Sequence, residues 1–370
     1  MKIQLNGNEL EINESKSVFE IYKEEINKNS HIIACNCNNE IKSLNYIPKE
    51  NDNIKLIDVK TRDGRRIFIR GLLYVMSKAF CECYPEAYLS VNYQLTNAMY
   101  CEIDNMPITK EMLETVNTKM KEIIEKDIPI NKKEMTKEEA KDFYEREKSL
   151  RGILQLDNKQ KEEVSLYFCE DYYNYFYGVM PISTGFVKEY ELIPYNEGIL
   201  LRYPSKENPD KLEDGVTSKK LVSVLDEYKD IHKVLDIHTV YKLNKQIREG
   251  NARDLVLLAE ALHEKKISDI ADSIVKQKGV KVVLIAGPSS SGKTTFAKRL
   301  GIQLRLNGLK PVTISVDDYF VERKDTPLDE DGKYNFECIE AIDLKLFNDN
   351  LTTLLNGGEI QCPTFDFKEG

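Results

Sequence analysis

The sequence predicts an α+β front half followed by an α/β domain. Short apolar–polar alternations joined by turn residues fill the first sixty or so positions. Longer helical patterns interleaved with strand-like stretches follow to about residue 204. From residue 280 a β-branched apolar run, a glycine-rich loop, a helical pattern and a second apolar run occur in that order, the outline of a strand–helix–strand unit.

Ile3 and Leu5 alternate with polar residues, Asn6-Gly7 is a favoured hairpin turn, and Leu10 and Ile12 resume the alternation. Ser17 caps a short helical pattern through Phe19, Ile21, Tyr22 and Ile26, and strands are expected around 32–37 and 54–59. These make a β-rich unit over 1–60. An α+β domain over 61–204 follows, with a helix near 68–80 and a strand-like stretch after Pro85. Thr109 opens a long helix whose apolar face is Met112, Val116, Met120, Ile123 and Ile124. Thr136 and Glu139 supply a capping box for the next one. Tyr172, Tyr173, Tyr175, Phe176 and Tyr177 could form a stacking platform for bases, but the acidic Glu170 and Asp171 beside them favour a buried strand edge. Residues 205–220 are charged and carry Pro and Gly, and helical patterns occupy 221–277, so 205–278 reads as a linker and helical connector. The α/β domain occupies 279–370.

Apolar residues make up 41% and charged residues 31% of the 370, an ordinary soluble balance that suits two or three domains. The start, MKIQLNGNEL, lacks a signal-peptide core, and the longest apolar stretch, 282–286, is far too short to span a bilayer. A cytoplasmic protein is expected. The cysteines at 35, 37, 81, 83, 101, 169, 338 and 362 form no tight framework, and the C-x-C pairs are closer than zinc knuckles need, so free thiols are expected. A net charge of −9 and a pI near 5.3 argue against a broad nucleic-acid footprint and suit a small-molecule enzyme.

The chemistry concentrates after residue 280. Residues 280–286 have the composition of a strand buried on both faces. Gly287-Pro-Ser-Ser-Ser-Gly292-Lys293-Thr294 fits G-x-x-x-x-G-K-[ST] at every fixed position. From background usage this pattern arises in about one chain of this length in a hundred, before the flanking strand and helix are required. Glycine lets the backbone curl so that loop amides converge on phosphate oxygens, and the helix N-terminus adds its positive end. Lys293 can reach the β- and γ-phosphates of a triphosphate, and the Thr294 hydroxyl can ligate Mg²⁺. The expected binding set is Gly287, Ser289, Ser290, Ser291, Gly292, Lys293, Thr294 and Thr295. The helix carries Phe296, Leu300 and Leu304 in register and stops at Gly308. A second strand over 311–316 would return parallel to the first by a right-handed crossover, placing Asp317-Asp318 beside the phosphate loop. One of the two acids is a candidate general base, the other a capping or Mg²⁺-associated carboxylate.

The segment 287–295, with SVDDYF at 315–320, YNFE at 334–337 and PTFDF at 363–367, resembles the uridine kinase branch of the uridine kinase and phosphoribulokinase family in order and spacing. The resemblance implies an ATP- and Mg²⁺-dependent P-loop kinase with Asp317 as general base for a 5′-hydroxyl and Lys293 as its catalytic cation. It puts Tyr319, Glu337, Phe365 and Phe367 on the nucleoside. Glu337 stands where the family has an aspartate on the ribose hydroxyls, and Phe365 where uridine kinases carry a base-contacting tyrosine. The chain stops at Gly370, directly after the last motif, whereas kinases of this family continue into further strands, a lid and an adenine pocket. The resemblance therefore implies a truncated kinase domain, able to bind phosphate and weak or inactive as a catalyst alone.

Residues 1–60 resemble a TGS domain, a β-grasp module found at the front of threonyl-tRNA synthetases. The likeness continues over 61–204 with that enzyme's editing-type domain, through MYCEIDNMPITKEMLETV, EKDIPI, KEEA and MPISTGFVKEYEL. Where the synthetase has an H-x-x-x-H helix with a downstream Cys and His, this chain has Ile67, Gly71, Phe176 and Met180. No histidine occurs between His31 and His232, so a zinc site there would lack its ligands. His232, His238 and His263 fall in the connector and are expected to be solvated or capping.

The expected function is ATP-Mg²⁺-dependent phosphorylation of a nucleoside, uridine or cytidine, at the 5′-hydroxyl. The alternatives are a kinase of another small polyol and an ATP-sensing, RNA-associated regulatory protein. The expected partner is a small-molecule nucleoside, with no membrane. Nucleic acid is disfavoured by charge, and tRNA and a homo-oligomer are left open.

Overall fold

The computed structural model describes residues 2–12, 15–146, 150–157, 162–213 and 219–366. They fall into two compact units, Met1–Gln246 and Ile247–Gly370.

The first unit opens with the hairpin of β1 (Lys2–Leu5) and β2 (Asn8–Glu11). Asn6 and Gly7 both take positive φ, 44° and 88°, as a type I′ turn requires. Ser17 caps α1 (Val18–Ile21) as expected, and Glu20 adds a capping box that the sequence reading did not name; α2 (Lys23–Lys28) follows. β3 (Ile32–Cys37), β4 (Glu40–Lys42) and β5 (Asn53–Asp58) complete a five-stranded sheet of order β2-β1-β5-β3-β4, with β1 and β5 parallel. Ile3, Val18, Ile26, Leu44 and Ile54 form its core, and Cys35 and Cys37 are buried with them. Burial pushes the Cys35 thiol up to about 12, which makes it an inert packing group.

Thr61 caps α3 (Arg62–Cys83), accepting from the Gly64 amide at 3.1 Å. The helix begins six residues before the apolar pattern does, because its first turn is charged. β6 (Leu89–Leu95) and β7 (Ala98–Ile103) pair, and Thr109 caps α4 (Lys110–Glu125), whose five expected apolar-face residues are all buried. After β8 (Asn131–Thr136), the Thr136–Glu139 capping box starts α5 (Lys137–Arg146). α6 (Leu150–Asp157), β9 (Glu163–Cys169), β10 (Tyr172–Tyr175), β11 (Glu191–Tyr195) and β12 (Gly198–Arg202) complete two antiparallel sheets, of order β11-β12-β7-β6 and β10-β9-β8. One core draws on Leu72, Val75, Met76 and Ala79 of α3, Val116 and Met120 of α4, Cys101, Cys169, Ile199 and Leu201. Of the aromatic cluster, Tyr173 and Tyr175 are buried as a strand should be, while Tyr177 is 72% exposed.

Gly71 lies where α3 meets the chain around 181–187. A Cβ there would come 2.5 Å from Cγ of Pro181 and 3.0 Å from Cγ1 of Val187. Neither neighbour is the tip of a flexible side chain, so the close approach depends on glycine.

The opposite face of the four-stranded sheet is covered by α7 (Lys219–Val234), whose Val222 packs with Leu95, Tyr100 and Leu200. The connector's first helix is thus part of the front unit. Glu102, only 5% exposed, holds it there. Its carboxylate accepts from Lys229 at 2.8 Å, Lys233 at 3.2 Å, Tyr100 at 2.9 Å and Asn92 at 2.7 Å. Burial alone would raise its pKa. The hydrogen bonds from Lys229, Tyr100 and Asn92 outweigh that and hold it down at about 2. α8 (Val240–Arg248) follows α7.

In the second unit, α9 (Ala252–Lys276) packs on α10 (Lys293–Leu306) through Ile267, Ala271, Leu300 and Leu304. Glu264 of α9 receives Arg299 at 2.6 and 2.8 Å and Gln303 at 2.6 Å. Gly308, at φ 83°, ends α10 as expected, with the Leu309 amide bonded to the Leu304 carbonyl at 3.0 Å. Asp343 caps α11 (Leu344–Leu355). The two expected strands are not formed. Residues 280–286 join no ladder, and Val280 and Leu284 are 42% and 86% exposed. Residues 311–316 also join none, and a 3₁₀ turn begins at Val316. A doubly buried strand exists only between paired neighbours and under helices on both faces. Among the described residues of this unit, β pairing is confined to the isolated bridges Phe320–Ile342 and Leu328–Tyr334. Among the described residues, no helix is long and apolar enough to cross a membrane.

Glu102→Gln removes the charge that Lys229 and Lys233 face and should cost about 2–3 kcal/mol at pH 7, read from urea unfolding. Because the folded carboxyl titrates near 2 and the unfolded one near 4.5, this contribution is fully present above about pH 4.5. It is lost as pH falls towards 2, so wild type and variant should converge in acid. Gly71→Ala should also destabilise. Forced displacement of Pro181 and Val187 costs about 1–3 kcal/mol, against about 1 kcal/mol of helix propensity gained. A raised unfolding midpoint would show that α3 tolerates a side chain there.

Candidate functional site

The phosphate-loop sequence forms a short exposed arch over 287–292 that runs directly into α10. Ser290 and Gly292 take positive φ, 58° and 83°, and the Ser291 amide bonds back to the Pro288 carbonyl at 3.3 Å. A Cβ on Gly287 would meet Oγ of Ser291 at 2.9 Å, so the curl is closed tightly at its base. Lys293 is half-buried and bends over the arch, donating from Nζ to the carbonyls of Gly287 and Pro288, both at 2.9 Å. The first turn of α10 has no side-chain cap, so its amides and positive dipole end face the arch. Thr294 and Thr295 follow in that turn, exposed with Ser289, Ser290 and Ser291. These residues fit a phosphate chain. They provide a curled loop, the uncapped start of a helix, one mobile ammonium and a threonine hydroxyl in the helix's first turn.

Asp317 and Asp318 sit in the 3₁₀ turn Val316–Tyr319, Asp317 exposed and Asp318 half-buried. Three backbone bonds pin that turn. The Asp318 amide reaches the Ser315 carbonyl at 3.3 Å, the Val321 amide the Ala341 carbonyl at 2.9 Å, and the Asp343 amide the Tyr319 carbonyl at 2.8 Å. Tyr319, expected on the substrate, is 1% exposed. Its ring packs edge-on to Phe347 at 5.1 Å and its hydroxyl accepts from Nδ2 of Asn350 at 3.1 Å. Burial pushes the phenol up from its ordinary value. In this structure the side chain anchors α11.

Residues 328–334 form a small loop around Asp329, whose carboxylate receives the amides of Asp331 and Lys333 at 3.0 and 2.8 Å. It presents Phe336 and the exposed Glu337, whose amide bonds to the Asn335 side-chain oxygen at 3.0 Å. Phe365 meets Phe320 at 5.4 Å and Phe336 at 6.4 Å between centroids, and Phe320 meets Phe336 at 5.2 Å. Three sequence motifs therefore converge on one aromatic cluster. Phe367 lies outside the described residues. Phe320 and Phe336 were passed over in the sequence although both stand inside the motifs. The available signal was that SVDDYF, YNFE and PTFDF each carry two aromatic residues.

In the front unit, the positions that the synthetase resemblance puts at a metal centre are filled by packing. Ile67 and Met180 are buried in cores, Gly71 abuts Pro181, and Phe176 packs edge-on to Tyr74 at 5.5 Å. Lys78 nearby is 2% exposed and satisfied by the Cys169 carbonyl at 3.2 Å, Glu82 at 2.7 Å and Glu170 at 3.2 Å, a structural ion pair at the end of α3.

Comparison with known proteins divides the chain the same way. Residues 282–370 match the family model described as the phosphoribulokinase / uridine kinase family. The front half is similar to threonine–tRNA ligases. That of Symbiobacterium thermophilum is 32% identical over 142 residues, 38% of this chain and 22% of that protein. That of Acetivibrio thermocellus is 30% identical over 164 residues, 44% of this chain and 26% of that protein. That of Clostridium kluyveri is 25% identical over 197 residues, 52% and 31% respectively. The chain thus spans roughly a quarter of the length of these relatives. Residues 282–370 are a domain of the phosphoribulokinase and uridine kinase family, joined behind a front half similar to threonine–tRNA ligases, consistent with a fusion of the two.

Proposed function

We propose that this kinase-family domain transfers the γ-phosphoryl group of ATP to the 5′-hydroxyl of a nucleoside, uridine or cytidine. The observation that carries the reading is the arch at 287–292, with Lys293 bent over it and the uncapped start of α10 behind it. Gly287, Ser289, Ser290, Ser291, Gly292 and Thr295 line the phosphates with their amides and hydroxyls. Lys293 exchanges its two loop carbonyls for phosphate oxygens. Thr294 would hold Mg²⁺, which neutralises phosphate charge when bound. Asp317 accepts the proton of the attacking hydroxyl; it is exposed and makes no ion pair among the described residues. Glu337 holds the ribose hydroxyls, with Phe365 and Phe367 on the base side and Tyr319 beneath them as support. Positioning and electrostatics supply most of the acceleration in such a transfer.

The family also includes phosphoribulokinases, so a small polyol is the competing acceptor. In the front half, the five-stranded sheet with its parallel β1–β5 pair supports a β-grasp, TGS-like reading of residues 1–60. Likeness to tRNA ligases favours one further reading, an RNA-associated regulator that senses ATP. Against it stands the net charge of −9, and salt-dependent retention of tRNA by the protein would be its mark.

Phosphoryl transfer from ATP, screened over nucleosides and small polyols, tests the reading directly. Lys293→Ala should lose most triphosphate affinity, since it removes the mobile positive charge at the loop; unchanged ATP binding would refute the phosphate-loop assignment. Asp317→Asn should lower kcat by about a hundredfold or more with little change in ATP affinity. Asp318→Asn should be milder. A near-normal kcat for Asp317→Asn would move the base to another carboxylate.

A further inference from the structure

The seam between α9 and α10 bears on what else holds the phosphates, given the phosphate-loop reading above. Glu264 accepts from Arg299, 35 positions on, at 2.8 Å, and Asp272 accepts from Asn307, also 35 positions on, at 3.0 Å. The two helices therefore run parallel in one register. Phe296 packs on the cluster of Ile267, Ala271, Leu300 and Leu304, so the cluster reaches the first turn of α10. α10 then stops, and α9 continues. Ala252 precedes Glu264 by roughly three turns, whereas Lys293 precedes Arg299 by less than two. At a helical rise of about 1.5 Å per residue, the register puts Arg253 about 7 Å past Lys293 along the seam, level with the arch at 287–292.

Rotation about the helix agrees with that height. Arg253 and Glu260 recur at helical spacing with Glu264, Ile267, Ala271 and Ile274, the residues that meet α10. Packed helix axes lie about 8–10 Å apart, and a side chain leans towards the start of its own helix, so an extended arginine at 253 spans to the mouth of the loop. Arg253 and Glu260 are both exposed, and neither makes an ion pair among the described residues. A solvated guanidinium gives up no protein partner when it turns to a ligand. α9 also precedes residues 282–370, so this arginine comes from the connector and not from the family's own domain. We propose that Arg253 is a second phosphate-binding cation, brought to the loop by the connector helix, which closes on the phosphate chain of a bound triphosphate from the α9 side. Its planar fork matches phosphate oxygens two at a time, which the ammonium of Lys293 cannot do. Glu260, on the same face and level with Thr295, carries the opposite sign, so its carboxylate repels the same phosphates.

Titration calorimetry on the full chain, with Mg²⁺ and a non-hydrolysable ATP analogue, tests this. Arg253→Gln should weaken binding by about 10- to 100-fold, the scale of hydrogen bonds to a charged group, and Arg253→Lys should recover part of it. Inorganic tripolyphosphate should show the same loss, because the contact is to phosphate alone. Glu260→Gln should tighten binding by about two- to tenfold. The unfolding midpoint of the unliganded protein should stay in place in each variant, since both side chains are exposed. Unchanged analogue binding by Arg253→Gln overturns the inference. If that variant does not fold, Glu260→Gln decides: tighter binding supports the placement, and unchanged or weaker binding overturns it. Lys293→Ala keeps the two readings apart. Unchanged binding there removes the phosphate-loop reading and this inference with it, whereas loss there beside normal binding in Arg253→Gln removes this inference alone.

Discussion

One helix–helix contact positions the phosphate loop. Between α9 and α10, Ile267, Ala271, Leu300 and Leu304 are buried, and Glu264 takes both Arg299 and Gln303. A helix satisfies its own backbone, so α10 is complete as soon as one face is covered. The loop inherits its place from the helix start, and its curl is local, through the positive φ of Ser290 and Gly292 and the Lys293 bonds to Gly287 and Pro288. None of this requires a neighbouring strand. The same constraint explains residues 280–286, which lead into the loop. An extended segment must find every backbone partner elsewhere, and without a paired neighbour its apolar side chains stay open to water.

In the front half, packing fills the positions at which the resemblance would put a site. The residues that the synthetase resemblance places around a metal are here Ile67, Gly71, Phe176 and Met180, all engaged in core contacts. What polar chemistry remains inside is structural. Lys78 is neutralised by Glu82 and Glu170, and Glu102 by Lys229 and Lys233. Both are buried charges with several partners, the condition under which a buried ion is tolerated. Glu102 does more than fill a gap. Through it the sheet of the front unit holds the first helix of the connector, so α7 is tied by charge as well as by the apolar contact of Val222.

How far the sequence could be read follows from the range of the forces involved. The Asn6-Gly7 turn, the Ser17 and Thr109 caps, the Thr136 capping box and the Gly308 stop were legible because each involves residues within four positions of one another. The phosphate loop was legible for the same reason, since its geometry is written in two glycines, a lysine and a threonine. The strand at 40–42 was missed because three residues are too short for a periodicity, although Asn38 and Asn39, both at positive φ, mark its turn. Glu102 looked like any charged residue, because nothing local announces that Lys229 and Lys233 meet it from more than a hundred residues away. The strands expected at 280–286 and 311–316 failed for the converse reason. Their composition reports a preference for burial, and pairing is decided by partners that composition does not name.

The roles proposed for the candidate site differ in kinetic meaning. In the nucleoside kinase reading, contacts to a base remote from the reacting oxygen would be made equally before and during phosphoryl transfer. Such uniform binding lowers KM and leaves kcat alone. In the proposed kinase reading Asp317 would act on the proton transferred, so its contribution would fall on kcat, whereas Lys293, which would hold the triphosphate, would also set ATP affinity. In the same reading, Phe365 and Glu337 would bear on which acceptor is held rather than on how fast it reacts. The proposed roles fall on different segments, 334–337 and 363–366 for holding and 287–295 and 315–318 for transfer, so substitutions would be able to change one without the other.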